Sequence, residues 1–251
     1  MNTVLFVFGL LLAVAQAASS EEVVDVLDVE NVVPRNVYMP LIDGAPEVAA
    51  PKIVNGNQAS RGQFPYQAAL YLDGSSFCGG SLISTTYILT AAHCAQGYNS
   101  QTLANDIALV RLPSAVSLSN YIQTIKLPSY SMASNSFAGT TVTVSGWGKT
   151  SDNGGVSNQL NYVNLNIITN SACSSYYGST IISSTICADG SSRQSTCNGD
   201  SGGPMVTNGV QIGVVSFVSS RGCASGYPSG YARVTSFLSW ISSNTGISIS
   251  N

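Results

Sequence analysis

His93 is the only histidine among 251 residues, and it closes the run Leu89-Thr90-Ala91-Ala92-His93-Cys94. Far downstream stands a serine in a glycine-rich loop, Cys197-Asn198-Gly199-Asp200-Ser201-Gly202-Gly203-Pro204. A serine hydroxyl is a poor nucleophile at neutral pH. It becomes a useful one when a base that titrates near neutrality takes its proton, and histidine is the usual choice. Here one histidine is available for that work. The pair points to nucleophilic catalysis through a covalent serine intermediate. A satisfied strand-end histidine and a structural turn serine are the readings it competes with.

The elements that must position the pair are short strands. Segments 65–73, 77–84, 87–92 and 107–112 carry strand patterns in a first half. Segments 140–147, 159–168, 185–189, 202–206, 210–218 and 227–234 carry them in a second half. A Ser- and Asn-rich stretch at 128–139 links the halves. Residues 234–241 place apolar side chains at helical spacing and predict a closing helix. The fold class is all-β, two small barrels and a C-terminal helix. Trp147 reads as a core residue covering the start of the second barrel.

Composition narrows the function classes. Charged residues make up 8% of the chain, and net charge is −3. That excludes the basic footprint expected of a nucleic-acid binder. The charge is unevenly placed. Residues 18–52 carry seven acids and two bases, whereas residues 53–251 carry five acids and seven bases. Residues 4–15 form an apolar run too short to span a bilayer, followed by Ala15-Gln16-Ala17. This predicts a secretory signal peptide at 1–17, hence a secreted, extracellular protein with no membrane span. Residues 18–52, with Pro34, Pro40, Pro46 and Pro51, read as a mobile pro-segment. It ends at Lys52, a plausible processing site before Ile53-Val54-Asn55-Gly56. Six cysteines in a secreted chain imply disulfides, with 15 pairings open if all are bonded. No C-x-x-C occurs, and the single histidine adjoins Cys94, so no metal and no cofactor are expected. Nothing demands an oligomer, and a monomer is expected.

Five motifs stand in order: Ile53-Val54-Asn55-Gly56, Thr90-Ala91-Ala92-His93-Cys94, Asn105-Asp106-Ile107-Ala108-Leu109, Gly146-Trp147-Gly148 and Gly199-Asp200-Ser201-Gly202-Gly203-Pro204. Together they resemble the chymotrypsin family of secreted serine endopeptidases, in the flavour of insect digestive enzymes, from Ile53 to about Ile241. The resemblance implies two six-stranded antiparallel barrels and peptide-bond hydrolysis through an acyl-enzyme. It implies Ser201 as nucleophile, His93 as general base and acid, and Asp106 as the group that orients the imidazole. The backbone N–H groups of Gly199 and Ser201 would form the oxyanion hole. A cut after Lys52 by a trypsin-like protease would free the Ile53 amine to pair with Asp200, so the uncut chain would be a zymogen. The implied disulfides are Cys78–Cys94, Cys173–Cys187 and Cys197–Cys223. The implied partners are protein or peptide substrates and protein protease inhibitors, and the implied setting is the gut lumen. Asp106 competes with an ordinary strand cap. Its rivals as triad acid fit worse, because Asp73 and Asp152 sit in turn-like contexts and Asp189 lies in the other half.

Three residues carry the specificity implied by the resemblance. Ser195 stands where trypsin-like members have the aspartate that holds Lys or Arg. Val218 stands where a wide pocket needs glycine, and Ser229 lines the far wall. Small to medium apolar residues are expected before the scissile bond, with aromatic residues as the alternative.

One departure is large. The family separates histidine and aspartate by about 45 positions; here His93 and Asp106 are 13 apart. About thirty residues are missing, with the join near Gly97–Tyr98. The first barrel, 53–127, is therefore expected to be truncated to about four strands, beside a complete second barrel at 128–251. Such a barrel exposes two edges, and Ile88, Leu89, Leu109 and Leu112 lose partners. The alternative to an active endopeptidase is a non-catalytic or misfolded protease homologue that acts, if at all, by binding.

Overall fold

Each of the ten stretches with a strand pattern forms a strand. The computed structural model describes residues 6–9, 26–28, 53–72, 76–94, 98 and 103–251. The Ala17 and Lys52 cleavage positions and Gly97 lie outside the described residues. In chain order the strands are β1 (Phe6–Gly9), β2 (Val26–Asp28), β3 (Asn57–Gln58), β4 (Gln67–Leu72), β5 (Ser76–Leu82), β6 (Tyr87–Thr90) and β7 (Ala108–Arg111). The second half adds β8 (Thr141–Gly146), β9 (Asn161–Ile168), β10 (Thr185–Ala188), β11 (Pro204–Thr207), β12 (Val210–Phe217) and β13 (Ser229–Arg233). Helix α1 spans Asn170–Tyr177 and α2 spans Leu238–Thr245.

Alternation explains the second half. In β9 the side chains of Val163, Leu165 and Ile167 are buried, while Asn164 and Asn166 face solvent. On that outer face the Thr141 and Thr143 hydroxyls donate to the Asn166 and Asn164 side-chain oxygens at 2.9 and 2.8 Å. Such cross-strand pairs fix the register of β8 on β9. The strand order is β10-β13-β12-β11-β8-β9-β3, and β10 also pairs with β9. Strands β8 to β13 thus close into a six-stranded antiparallel barrel, with β3 added outside. Closure removes exposed edges, which a small barrel needs. Trp147 is buried and meets Phe77 edge-on at 6.3 Å between ring centroids.

The first sheet departs from expectation. Residues 53–127 supply four strands to it, β4 to β7, but the sheet has six. The order is β1-β4-β5-β6-β7-β2. The extra two come from upstream: β1 lies along β4 and β2 along β7, both parallel. The sheet is therefore mixed rather than purely antiparallel, and residues 18–52 contain a strand where none is expected. Ile88, Leu89, Leu109 and Leu112 do not lose their cover and are all buried. The reason lies across the molecule. Val206, Val214, Val234, Phe237, Leu238 and Ile241 share one apolar cluster with them, so the second half and α2 close the open side.

Two buried amide–hydroxyl bonds stitch the halves together. The Ser145 hydroxyl donates to Gln67 Oε1 at 2.6 Å. Reciprocally, the Ser81 hydroxyl donates to Gln211 Oε1 at 2.6 Å. Gln211 is fully buried. Gln211→Leu leaves the Ser81 hydroxyl without that acceptor, so it is expected to destabilise the chain by about 1–3 kcal/mol. A urea midpoint unchanged from the parent would contradict this.

Candidate active site

The shortened link turns His93 and Asp106 into neighbours across one hairpin. Strands β6 and β7 pair antiparallel, with Thr90 opposite Ala108. His93 follows β6 by three residues, and Asp106 precedes β7 by two. Both therefore leave the same end of the hairpin. A 3-10 turn at Ala92–Cys94 swings the imidazole toward the aspartate. The Cys78–Cys94 disulfide ties that turn to β5.

Asp106 is almost fully buried, and three donors converge on its carboxylate. The His93 backbone N–H donates to Oδ1 at 2.8 Å. His93 Nδ1 lies 2.7 Å from Oδ2, and the Ser216 hydroxyl donates to Oδ2 at 2.5 Å. An ionised carboxylate only accepts, so Nδ1 must carry the proton toward it. Nε2 of the neutral ring is then the atom free to accept one. Ser216 reaches Asp106 because the β12–β13 register shifts between Val215 and Phe217. Such a bulge re-aims a side chain. Tyr98 completes the surround. Its hydroxyl donates to the Ala104 carbonyl at 3.0 Å, and burial, reinforced by the Asp106 charge, raises its pKa well above the usual phenol range.

Ser201 arrives from the second half. Its carbonyl accepts from the Gly79 N–H at 2.7 Å. Gly202 holds φ +78, and a Cβ there would overlap Thr90 Oγ1 and the Gly79 carbonyl oxygen. This close approach needs glycine, and it seats the serine loop against the strand end that carries His93. Among the described residues no hydrogen bond joins Ser201 to His93. Such bonds are often loose without substrate.

The loop's N–H groups alternate. Asp200 N–H donates to the Cys197 carbonyl and Gly202 N–H to the Val215 carbonyl, at 2.9 and 2.8 Å. The N–H groups of Gly199 and Ser201 donate to nothing among the described residues. Gly199 has φ +96, a conformation that glycine adopts without strain. Two unpaired donors flank the serine, an arrangement able to hold a developing oxyanion.

Asp200 is fully buried. It accepts from the Gly148 N–H at 2.8 Å and the Cys197 N–H at 2.9 Å. No cation pairs with it among the described residues. Burial pushes its carboxyl up to about 7, against the opposing pull of those two N–H groups. Ile53 is also fully buried, packed with Val144 and Tyr231. The Val54 carbonyl accepts from the Ser195 N–H at 3.4 Å, and Val54 packs on Cys197 and Cys223.

Cys173 pairs with Cys187, and Cys197 with Cys223. Ser195 and Ser229 are both buried. The Ser229 and Tyr231 hydroxyls are 2.9 Å apart. Val218 packs against the Cys197 and Cys223 pair. Two contributors escape a reading of the sequence. Ser216 reads as part of the strand Ser216-Phe217-Val218, which resembles the pocket wall and substrate-pairing strand, and not as a partner of Asp106. Asp152 reads only as a turn residue, yet it accepts from the Cys223 N–H at 2.5 Å and steadies the loop that carries that cysteine.

The family model for Trypsin matches residues 53–97 and, separately, 95–241. Brachyurin of Leptuca pugilator is 41% identical over 229 residues, covering 78% of this chain and 99% of the relative. Since 78% of 251 residues is about 196, about thirty positions of that alignment have no counterpart here. Collagenase of Hypoderma lineatum is 39% identical, covering 80% of this chain and 90% of its own length. Trypsin alpha of Drosophila melanogaster is 38% identical, with 81% and 88% covered. A solved collagenase structure superposes with a TM-score of 0.72 at 39% identity, covering 78% of this chain and all of that one.

Proposed function

Because the chain belongs to the trypsin family of serine endopeptidases, we propose that Ser201, His93 and Asp106 hydrolyse peptide bonds through an acyl-enzyme. The observation that carries this is the set of three donors converging on buried Asp106. With Nδ1 committed to Asp106, Nε2 is the ring nitrogen left to act as the base. In the first step Nε2 takes the Ser201 proton as Oγ adds to the scissile carbonyl. The carbonyl oxygen becomes an oxyanion between the Gly199 and Ser201 N–H groups. The imidazolium then gives its proton to the leaving amine, and water repeats the sequence to release the acid product.

The chain is further proposed to be secreted and made as a zymogen. Residues 1–17 would be the signal peptide and 18–52 the pro-segment, cut after Lys52 by a trypsin-like protease. Gut lumen, protein substrates, protein inhibitors and a monomeric enzyme complete the proposal. The burial of Ile53 and the uncompensated burial of Asp200 support activation by the new Ile53 amine. Specificity follows from a pocket without a buried anion. Ser195 offers no charge to Lys or Arg, and Val218 narrows the entrance. Cleavage after small to medium apolar residues is expected, with aromatic residues second.

The test is fluorophosphonate labelling of the cut chain, followed by a peptide panel. The expected result is label on Ser201, none on Ser201→Ala, and turnover at least ten-fold faster after Ala, Val or Leu than after Arg. A folded chain that takes no label would be a non-catalytic homologue. Dominant cleavage after Arg or Lys would overturn the specificity.

A further inference from the structure

The missing residues between His93 and Asp106 leave β4 and β7 as the two outer strands of what residues 53–127 contribute to the first sheet. Neither is bare. Strand β1 pairs with β4 from Phe6 opposite Ala69 to Gly9 opposite Leu72. Strand β2 pairs with β7 through Val26 opposite Leu109, Leu27 opposite Val110 and Asp28 opposite Arg111. An unpaired strand edge is a row of open donors and acceptors that will capture another extended segment. Here the chain presents its own.

We propose that the edge of β7 is a docking site for the segment Val26–Asp28, and that the pro-segment stays bound there after the bond following Lys52 is cut. This rests on the processing proposed above. Strand β1 lies within the leader that signal cleavage would remove, so the proposal concerns β2 alone. Four observations carry it. The register sets Val26, Leu27 and Asp28 opposite Leu109, Val110 and Arg111 in unbroken succession. The charge of the two pieces is complementary: residues 18–52 net −5 and residues 53–251 net +2. The run Val23-Val24-Asp25-Val26-Leu27-Asp28-Val29 is rich in β-branched residues, as an added strand requires. Finally, the first cysteine is Cys78, so no disulfide can hold the pro-segment, and its retention has to be non-covalent.

The docking bears on catalysis through position. Strand β7 begins two residues after Asp106, so a strand laid along it steadies the end of the hairpin from which the aspartate projects. The pro-segment is then a non-covalent strand of the working enzyme rather than a discarded cap.

The experiment uses the full chain, secreted, purified and cut with a trypsin-like protease. N-terminal sequencing must first show Ile53 as the new terminus; failure at that step overturns the processing, and with it the premise. The cut protein is then run on gel filtration, and the peptides in the protein peak are identified by intact mass. The expected result is a peptide containing residues 26–28 and ending at Arg35 or Lys52, both sites for such a protease, present at about one per protein. Elution of that peptide apart from the body would overturn the proposal. The same measurement on Leu27→Pro, which removes a strand N–H, is expected to lower retention at least ten-fold. Hydrogen exchange at residues 109–111 should rise with it. A peptide held equally well by Leu27→Pro, with exchange unchanged, would mean it docks elsewhere and would also overturn the proposal.

Discussion

Asp106→Asn is expected to lower kcat about 10⁴-fold at neutral pH while leaving the chain folded. The argument starts from what the carboxylate accepts. The His93 N–H, His93 Nδ1 and the Ser216 hydroxyl all point at Asp106. Asparagine has one oxygen and one NH₂ where aspartate has two acceptors. If the oxygen keeps the His93 backbone N–H, the NH₂ faces Nδ1. An NH₂ only donates, so the ring must move its proton to Nε2. That tautomer cannot take the Ser201 proton. The Ser216 hydroxyl can turn and accept from the NH₂, so the stability loss should stay near that of a single hydrogen bond, about 1–3 kcal/mol. The measurement is single-turnover acylation with an active ester, beside the urea midpoint. A loss under ten-fold would mean that Asp106 does not orient the base. The result matters because the approach to Asp106 is the altered part of this chain.

The strands of the second barrel and strands β4 to β7 are legible in the sequence for a physical reason. Each alternates or runs apolar between turn residues, because each buries one face or both. The proposed triad is legible as residue types within motifs. The device that joins His93 to Asp106 is not, since it depends on the Thr90–Ala108 register. Ser216 is hidden similarly, because a bulge is a property of two strands and its residue type carries no trace of it. Strands β1 and β2 escape notice because of their context. Strand β2 is three residues long and lies in a segment of acids and prolines, whose composition argues for an unstructured tail. Its pairing is with β7, some eighty residues further along the chain. The expected exposure of Ile88 and Leu109 fails on similar grounds. A first barrel considered alone loses their cover, but Phe237, Leu238 and Ile241 supply it from the far end of the chain.

Cutting after Lys52 is expected to abolish one part of the pH dependence of stability. In the uncut chain Asp200 is fully buried, with two backbone N–H donors among the described residues, and burial pushes its carboxyl up to about 7 from 3.8. The folded state therefore holds this proton more tightly than the unfolded state does. Its contribution to stability is greatest below pH 4 and falls as pH rises toward 7. Between pH 5 and 7.5 that loss is about 2–3 kcal/mol. The cut creates an ammonium at Ile53. The Ile53 side chain is buried with Tyr231, and the next carbonyl, that of Val54, already binds Ser195 in the segment leading to the Cys197–Asp200 turn. A cation beside Asp200 favours the carboxylate and lowers its pKa, so the loss should disappear. The rest of the chain is common to both forms, so the difference between cut and uncut chains reports Asp200 together with the new Ile53 amine. Urea midpoints at pH 5 and 7.5, measured on Ser201→Ala chains to prevent self-digestion, give that difference. Asp200→Asn supplies the control. Uncut, it should flatten the pH dependence; cut, it leaves the new amine buried without its partner and should lose the stabilisation. If the cut and uncut chains lose stability equally between the two pH values, the Ile53 amine does not reach Asp200. In that case the unpaired Gly199 and Ser201 N–H groups must be held open by the Cys197–Asp200 turn alone, and the uncut chain should take the fluorophosphonate label as fast as the cut one.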